Sequence, residues 1–116
     1  MNVKNNPLLN HAFQFALSII EFSSKIEETR KYAIANQLLK SGTSIGANIW
    51  EAQSPESRND FIHKMKISAK EASETEFWLM LCKESPYLPD PGELPLRLVE
   101  IKKIQSAIIS TCKRNA

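Results

Sequence analysis

Few residues in this chain are of a type that moves protons, attacks a substrate or holds a metal. The two histidines are His11 and His63. Asp60 precedes His63 by three positions, a spacing that puts a carboxylate and an imidazole on one helical turn. A carboxylate-bridged di-iron bundle needs two Glu-x-x-His pairs and two further carboxylates; one approximate pair does not supply that set. Glu71, Glu74 and Glu76 cluster along the chain, with Glu51 upstream. Paired carboxylates do acid–base work when burial splits their pKa values. Lys66, Lys70 and Glu74 instead lie at helical spacings that favour surface pairing, worth only about 0.2–0.5 kcal/mol per pair. Cys82 and Cys112 lack a neighbour that would activate a thiolate. The run Ser41-Gly-Thr-Ser-Ile-Gly46 has neither the Gly-Lys-Ser/Thr ending nor the preceding strand of a phosphate loop. The sequence therefore predicts no catalytic residue, no metal site and no cofactor.

The elements that carry these residues are helices. With 116 residues, the chain (1–116) has room for a single domain around one core. Hydrophobic residues make up 42% and charged residues 24%, with a net charge of +2, so the composition is globular and not disordered. Two cysteines on apolar stripes read as buried free thiols in a reducing compartment. The interrupted apolar N-terminus does not read as a signal peptide, and no run is long enough for a membrane span. Cytoplasmic location is the expectation. Asn6-Pro7 reads as the start of a first helix running to about Phe22. Ser24 with Glu27 reads as a capping box for a second. A third starts near Ser57 and runs to about Ser85. Asp90, Pro91 and Glu93 read as the start of a fourth that continues to about Lys113. Alternating strand patterns are absent. The predicted fold is all-α, a four-helix bundle.

Helix faces carry further information. The first helix has two apolar stripes, one through Leu9, Phe13, Ala16 and Ile20, the other through Leu8, Ala12, Phe15, Ile19 and Phe22. Its polar line, His11-Gln14-Ser18-Glu21-Lys25, is too thin for a helix buried on one side only. The second stripe, with Phe15 and Ile19, is accordingly expected to meet a neighbouring subunit. Gly42 and Gly46 each cost about 1 kcal/mol relative to Ala inside a helix, so another backbone should approach there. Core stripes are expected at Phe61, Met65, Ser68, Ala72, Thr75, Leu79 and Cys82, and at Leu94, Leu98, Ile101, Ile104 and Ile108. From Glu93 onward, Arg97, Lys102, Lys103, Lys113 and Arg114 stand against Glu93 and Glu100, a surplus of three. Repeated around a symmetry axis, that surplus would attract phosphate backbones irrespective of sequence.

The stretches QLLKSGTSIGANIWEAQ (37–53) and SRNDFIHKMKISAKEASETEFWL (57–79) resemble the signatures of the bacterial four helix bundle protein family. Founding members of that family are encoded in intervening sequences of 23S ribosomal RNA genes. The resemblance spans essentially the whole chain. It implies an antiparallel up-and-down four-helix bundle that assembles as a ring-like homo-oligomer, a homopentamer, and kinship with the accessory variability determinant of diversity-generating retroelements, which binds nucleic acid and a reverse transcriptase through basic surfaces. The motif positions Ser44, Asn48, Glu51, Lys70, Glu71 and Glu74 are all present, and packing and hydrogen bonding between the second and third helices is their implied role. This chain is only mildly basic, with an isoelectric point near 8.6. The expectation is a non-enzymatic oligomeric scaffold that binds RNA or another nucleic acid weakly. The alternative is an adaptor that recruits a partner enzyme and touches no nucleic acid.

Overall fold

Asn6 opens the first helix as its type suggests. In the computed structural model, which describes residues 2–115, its side-chain oxygen accepts a hydrogen bond from the Leu9 amide at 3.1 Å, and Pro7 occupies the first turn. A short 3-10 turn, Val3–Asn5, precedes it. Helix α1 spans Pro7–Glu28, α2 Tyr32–Ala52, α3 Arg58–Glu84 and α4 Leu94–Arg114. Each helix packs on its chain neighbour, and α4 returns to pack on α1, so the four form a square with antiparallel edges. The molecule is 46 Å long and 25 by 21 Å across.

Two expected boundaries are corrected. Helix α1 does not end at Phe22 with Ser24 capping a new helix. The Ser24 hydroxyl instead donates to the Ile20 carbonyl at 3.2 Å, and the helix continues for another turn. The continuation buries Ile26 on the same stripe as Ile19 and Phe22, a gain of about 1.5–3 kcal/mol that outweighs a local cap. The chain turns instead at Arg30, in the left-handed region with φ 65°. Helix α4 begins at Leu94, with Pro95 in its first turn and no side-chain cap from Glu93. Asp90 serves the preceding turn, where its carboxylate accepts from the Gly92 amide at 2.8 Å.

A third correction concerns the stripes of α1. Phe15 and Ile19, expected at a subunit contact, are wholly buried inside the subunit. Of the other stripe Leu9 is buried as well, while Phe13 and Ile20 are 40% and 50% exposed, with Leu17 exposed beside them. Helix α2 decides the matter. A Cβ added at Gly42 would lie 2.8 Å from Ile19 Cγ2, and one at Gly46 would lie 3.4 Å from the Ala12 carbonyl oxygen. The two glycines draw the backbones of α1 and α2 together on the Ala12–Ile19 side. That leaves the Phe13–Ile20 side for solvent.

The stripes of α3 and α4 fall inward as their spacing predicts, with Met65, Ala72, Leu79, Leu98 and Ile101 buried. Polar groups bind the centre as well. The Ser68 hydroxyl donates to the Ile45 carbonyl at 2.8 Å and accepts from Gln105 Nε2 at 2.7 Å. The Thr75 hydroxyl lies 3.0 Å from that of Ser41. These contacts tie α3 to α2 and to α4. Among the described residues, no helix is long and apolar enough to cross a membrane.

Candidate nucleic-acid interface

The five cations expected on α4 do not form one group. Arg97 is half-buried at the α1–α4 seam, where its guanidinium donates to the Ser18 hydroxyl at 2.8 Å and sits 5.9 Å from the centre of the Phe15 ring. It is a clip between helices. Lys102 is bridged to Glu76 of α3 at 3.0 Å, with both groups partly exposed. Lys103, Lys113 and Arg114 are exposed.

What α4 lacks, α3 supplies. The Lys102–Glu76 bridge sets the register of these antiparallel helices, and Arg58 donates to the Cys112 carbonyl at 3.0 Å near the far end. Residues seven apart share a line on a helix. On α3 one such line runs Met80, Ser73, Lys66; on α4 the matching line runs Val99, Ser106, Lys113. The α3–α4 side is thus graded, from apolar side chains at one end through serines to lysines at the other. Lys70 and Arg114 flank the basic end, while Lys103 lies at mid-length beside the Lys102–Glu76 bridge. No acidic residue follows Glu100 in the chain. Sequence reasoning missed Lys66 because the third helix is neutral as a whole; only the seven-residue line separates its lysines from its glutamates.

The family-motif residues have more local roles than expected. Ser44 donates to the Lys40 carbonyl at 2.6 Å and Asn48 to the Ser44 carbonyl at 2.9 Å, both within α2. Glu74 accepts from the Trp78 indole at 3.2 Å within α3. Lys70 is exposed and Glu71 half-buried. Only Glu51 bonds across the two helices, to Lys64 at 3.0 Å. That hydrogen bond, with the attraction of the same carboxylate, raises the Lys64 pKa above its ordinary value. The remaining side-chain bonds between α2 and α3 come from Ser41, Ser68 and Thr75.

The groups singled out for chemistry are likewise occupied or apart. The Asp60 carboxylate accepts from the Glu56 amide at 3.0 Å while its own amide donates to Ser57, the helix cap. Among the described residues, no three His, Cys, Asp or Glu side chains gather closely enough to hold a metal ion. Burial pushes the Cys82 thiol up to about 11, so at neutral pH it stays protonated and is a poor nucleophile.

No curated protein matches the chain. Among solved structures, it is similar to a protein of unknown function from the S23 ribosomal protein family of Bacteroides thetaiotaomicron VPI-5482. The two are 37% identical, the match covers 88% of this chain and 97% of the other, and the TM-score is 0.83. The family model described as 23S rRNA-intervening sequence protein matches residues 4–109. On that match, and on a shared four-helix architecture, the chain belongs to the 23S rRNA-intervening sequence protein family.

Proposed function

We propose that the chain is a non-enzymatic scaffold that assembles with copies of itself, as a ring of the kind its family resemblance implies, and holds RNA at the basic end of its α3–α4 side. The carrying observation is the convergence of Lys66, Lys70, Lys113 and Arg114 towards one end of the bundle, where α4 brings no carboxylate, with Lys103 exposed at mid-length of α4. Such a surface attracts phosphates without reading bases, and copies around an axis multiply the attraction. Each phosphate neutralised on a single strand contributes a slope of about −0.7 to log affinity against log salt.

Titration of a labelled single-stranded RNA across salt concentrations tests this. Lys103→Glu combined with Lys113→Glu should weaken binding roughly tenfold or more at low salt and flatten the salt slope. Arg97→Ala, which removes a cation from the seam, should leave affinity nearly unchanged. Undiminished binding by the double variant would place the RNA elsewhere or nowhere.

The second reading, an adaptor that recruits a partner enzyme, draws on the charge-poor α1–α2 side, where Phe13, Leu17, Ile20 and Trp50 are exposed. A stoichiometric protein partner that survives nuclease treatment would favour it.

A further inference from the structure

We propose that the basic end of the α3–α4 side takes RNA in double-stranded form, holding the backbone of a duplex in preference to an unpaired strand. This rests on the RNA reading above and names the form of RNA that the same surface accepts.

Two stripes of exposed side chains make that surface. On α4, Lys103, Ser106, Ser110 and Lys113 follow one another at helical steps of three, four and three residues, one line from mid-length to the basic end. On α3, Lys66, Lys70 and Ser73 do the same. The register set by the Lys102–Glu76 bridge puts Lys66 beside Lys113. These are ammonium and hydroxyl groups, suited to phosphate oxygens and to the ribose 2′-hydroxyl.

Proteins that hold unpaired strands stack the splayed bases on aromatic rings set within a basic groove. This protein has exposed rings but keeps them apart from its cations. Phe13, Tyr32 and Trp50 lie on α1 and α2, and Tyr87 lies in the loop after α3. Phe77 is at the apolar end, where its ring already packs edge-on against Trp78 at 5.1 Å. Among the described residues, the one exposed ring on the basic stripes is the imidazole of His63, a turn before Lys66.

With so little to stack on, charge density and stiffness decide between the two forms. A duplex carries twice the phosphate charge per unit length of either of its strands. It is already straight, whereas an unpaired strand must be ordered along the row and loses freedom in binding. The row itself is fixed, because the Gln105–Ser68 bond and the Lys102–Glu76 bridge tie α4 to α3. The wide, shallow minor groove of an RNA duplex, edged by 2′-hydroxyls, suits a flat helical face.

Fluorescence anisotropy with a short blunt RNA duplex, and with each of its strands alone, tests the preference in the full chain at one salt concentration. The duplex should bind roughly fivefold or more tightly than either strand, with the steeper salt dependence. Ser110→Trp, at an exposed position, sets a ring among the cations. It should raise single-strand affinity several-fold and leave duplex affinity nearly unchanged, with an unaltered circular dichroism spectrum. Strands bound as tightly as the duplex would overturn the proposal and leave the RNA reading standing. A preference unmoved by Ser110→Trp would also overturn it, since the missing ring would then not be its cause. Binding of neither form would sink both readings.

Discussion

At the scale of single residues, the buried polar groups are the most consequential. Gln105 is 1% exposed, and its amide nitrogen is satisfied by Ser68 while Oε1 meets no protein partner among the described residues. Ser68→Ala would strand the amide nitrogen too, at a cost of about 1–3 kcal/mol, because a buried donor without an acceptor loses its hydration uncompensated. Combining Ser68→Ala with Gln105→Met removes donor and acceptor together and should return stability to near that of the parent chain. Urea unfolding of the single and double variants checks both values. Ser68 was expected on the core stripe of the third helix from its spacing, but Gln105 was not placed inside. Nothing in a lone glutamine signals burial until its partner on another helix is known. The cations were similarly half-readable: Lys103 and Lys113 point outward as α4 spacing allows, whereas Arg97 is claimed by Ser18 and Phe15, which lie far away in the chain.

At the scale of elements, the glycines of α2 separate two effects that usually act together. Alanine favours a helix over glycine by about 1 kcal/mol. At Gly42 the new methyl would enter the branched carbons of Ile19, which is wholly buried, so overpacking of about 1–3 kcal/mol should prevail and Gly42→Ala should destabilise. At Gly46 the nearest atom is at 3.4 Å, a distance neighbours can absorb, so Gly46→Ala should be neutral or mildly stabilising. Thermal melting of the two variants should therefore move in different directions, or at least differ clearly. The need for a close neighbour at these glycines was legible in the sequence, because two unfavourable residues four apart require a compensating contact; a backbone supplies it at Gly46, and the Ile19 side chain at Gly42. Which stripe of α1 makes that contact was not legible. Both stripes are apolar, and only the position of α2 distinguishes Phe15 from Phe13. The end of α1 was misread for a related reason: Ser24 and Glu27 satisfy a local capping pattern, and burial of Ile26, a non-local gain, overrides it. Ser57 was read correctly because its cap has no such competitor.

At the scale of the whole molecule, division of the surface is the main result. One long side is poor in charge over most of its length, and the opposite side passes from apolar to basic along its length. The count of four helices followed from stripes and start signals, and their up-and-down order from the family resemblance. The grading of the α3–α4 side did not, because it depends on the register between two helices, which the Lys102–Glu76 bridge reveals. The square also has one edge unlike the others. Three edges join helices adjacent in the chain, while the α1–α4 edge joins its two ends, and the Arg97–Ser18 bond spans 79 residues. Contacts between chain neighbours form early and cheaply, and long loops close last. The seam held by Arg97 should thus be absent from the folding transition state. Arg97→Ala should quicken unfolding and leave the folding rate almost unchanged, which a chevron plot of both rates would show. A clip between two helices in space then becomes, in time, the last latch to close and the first to release.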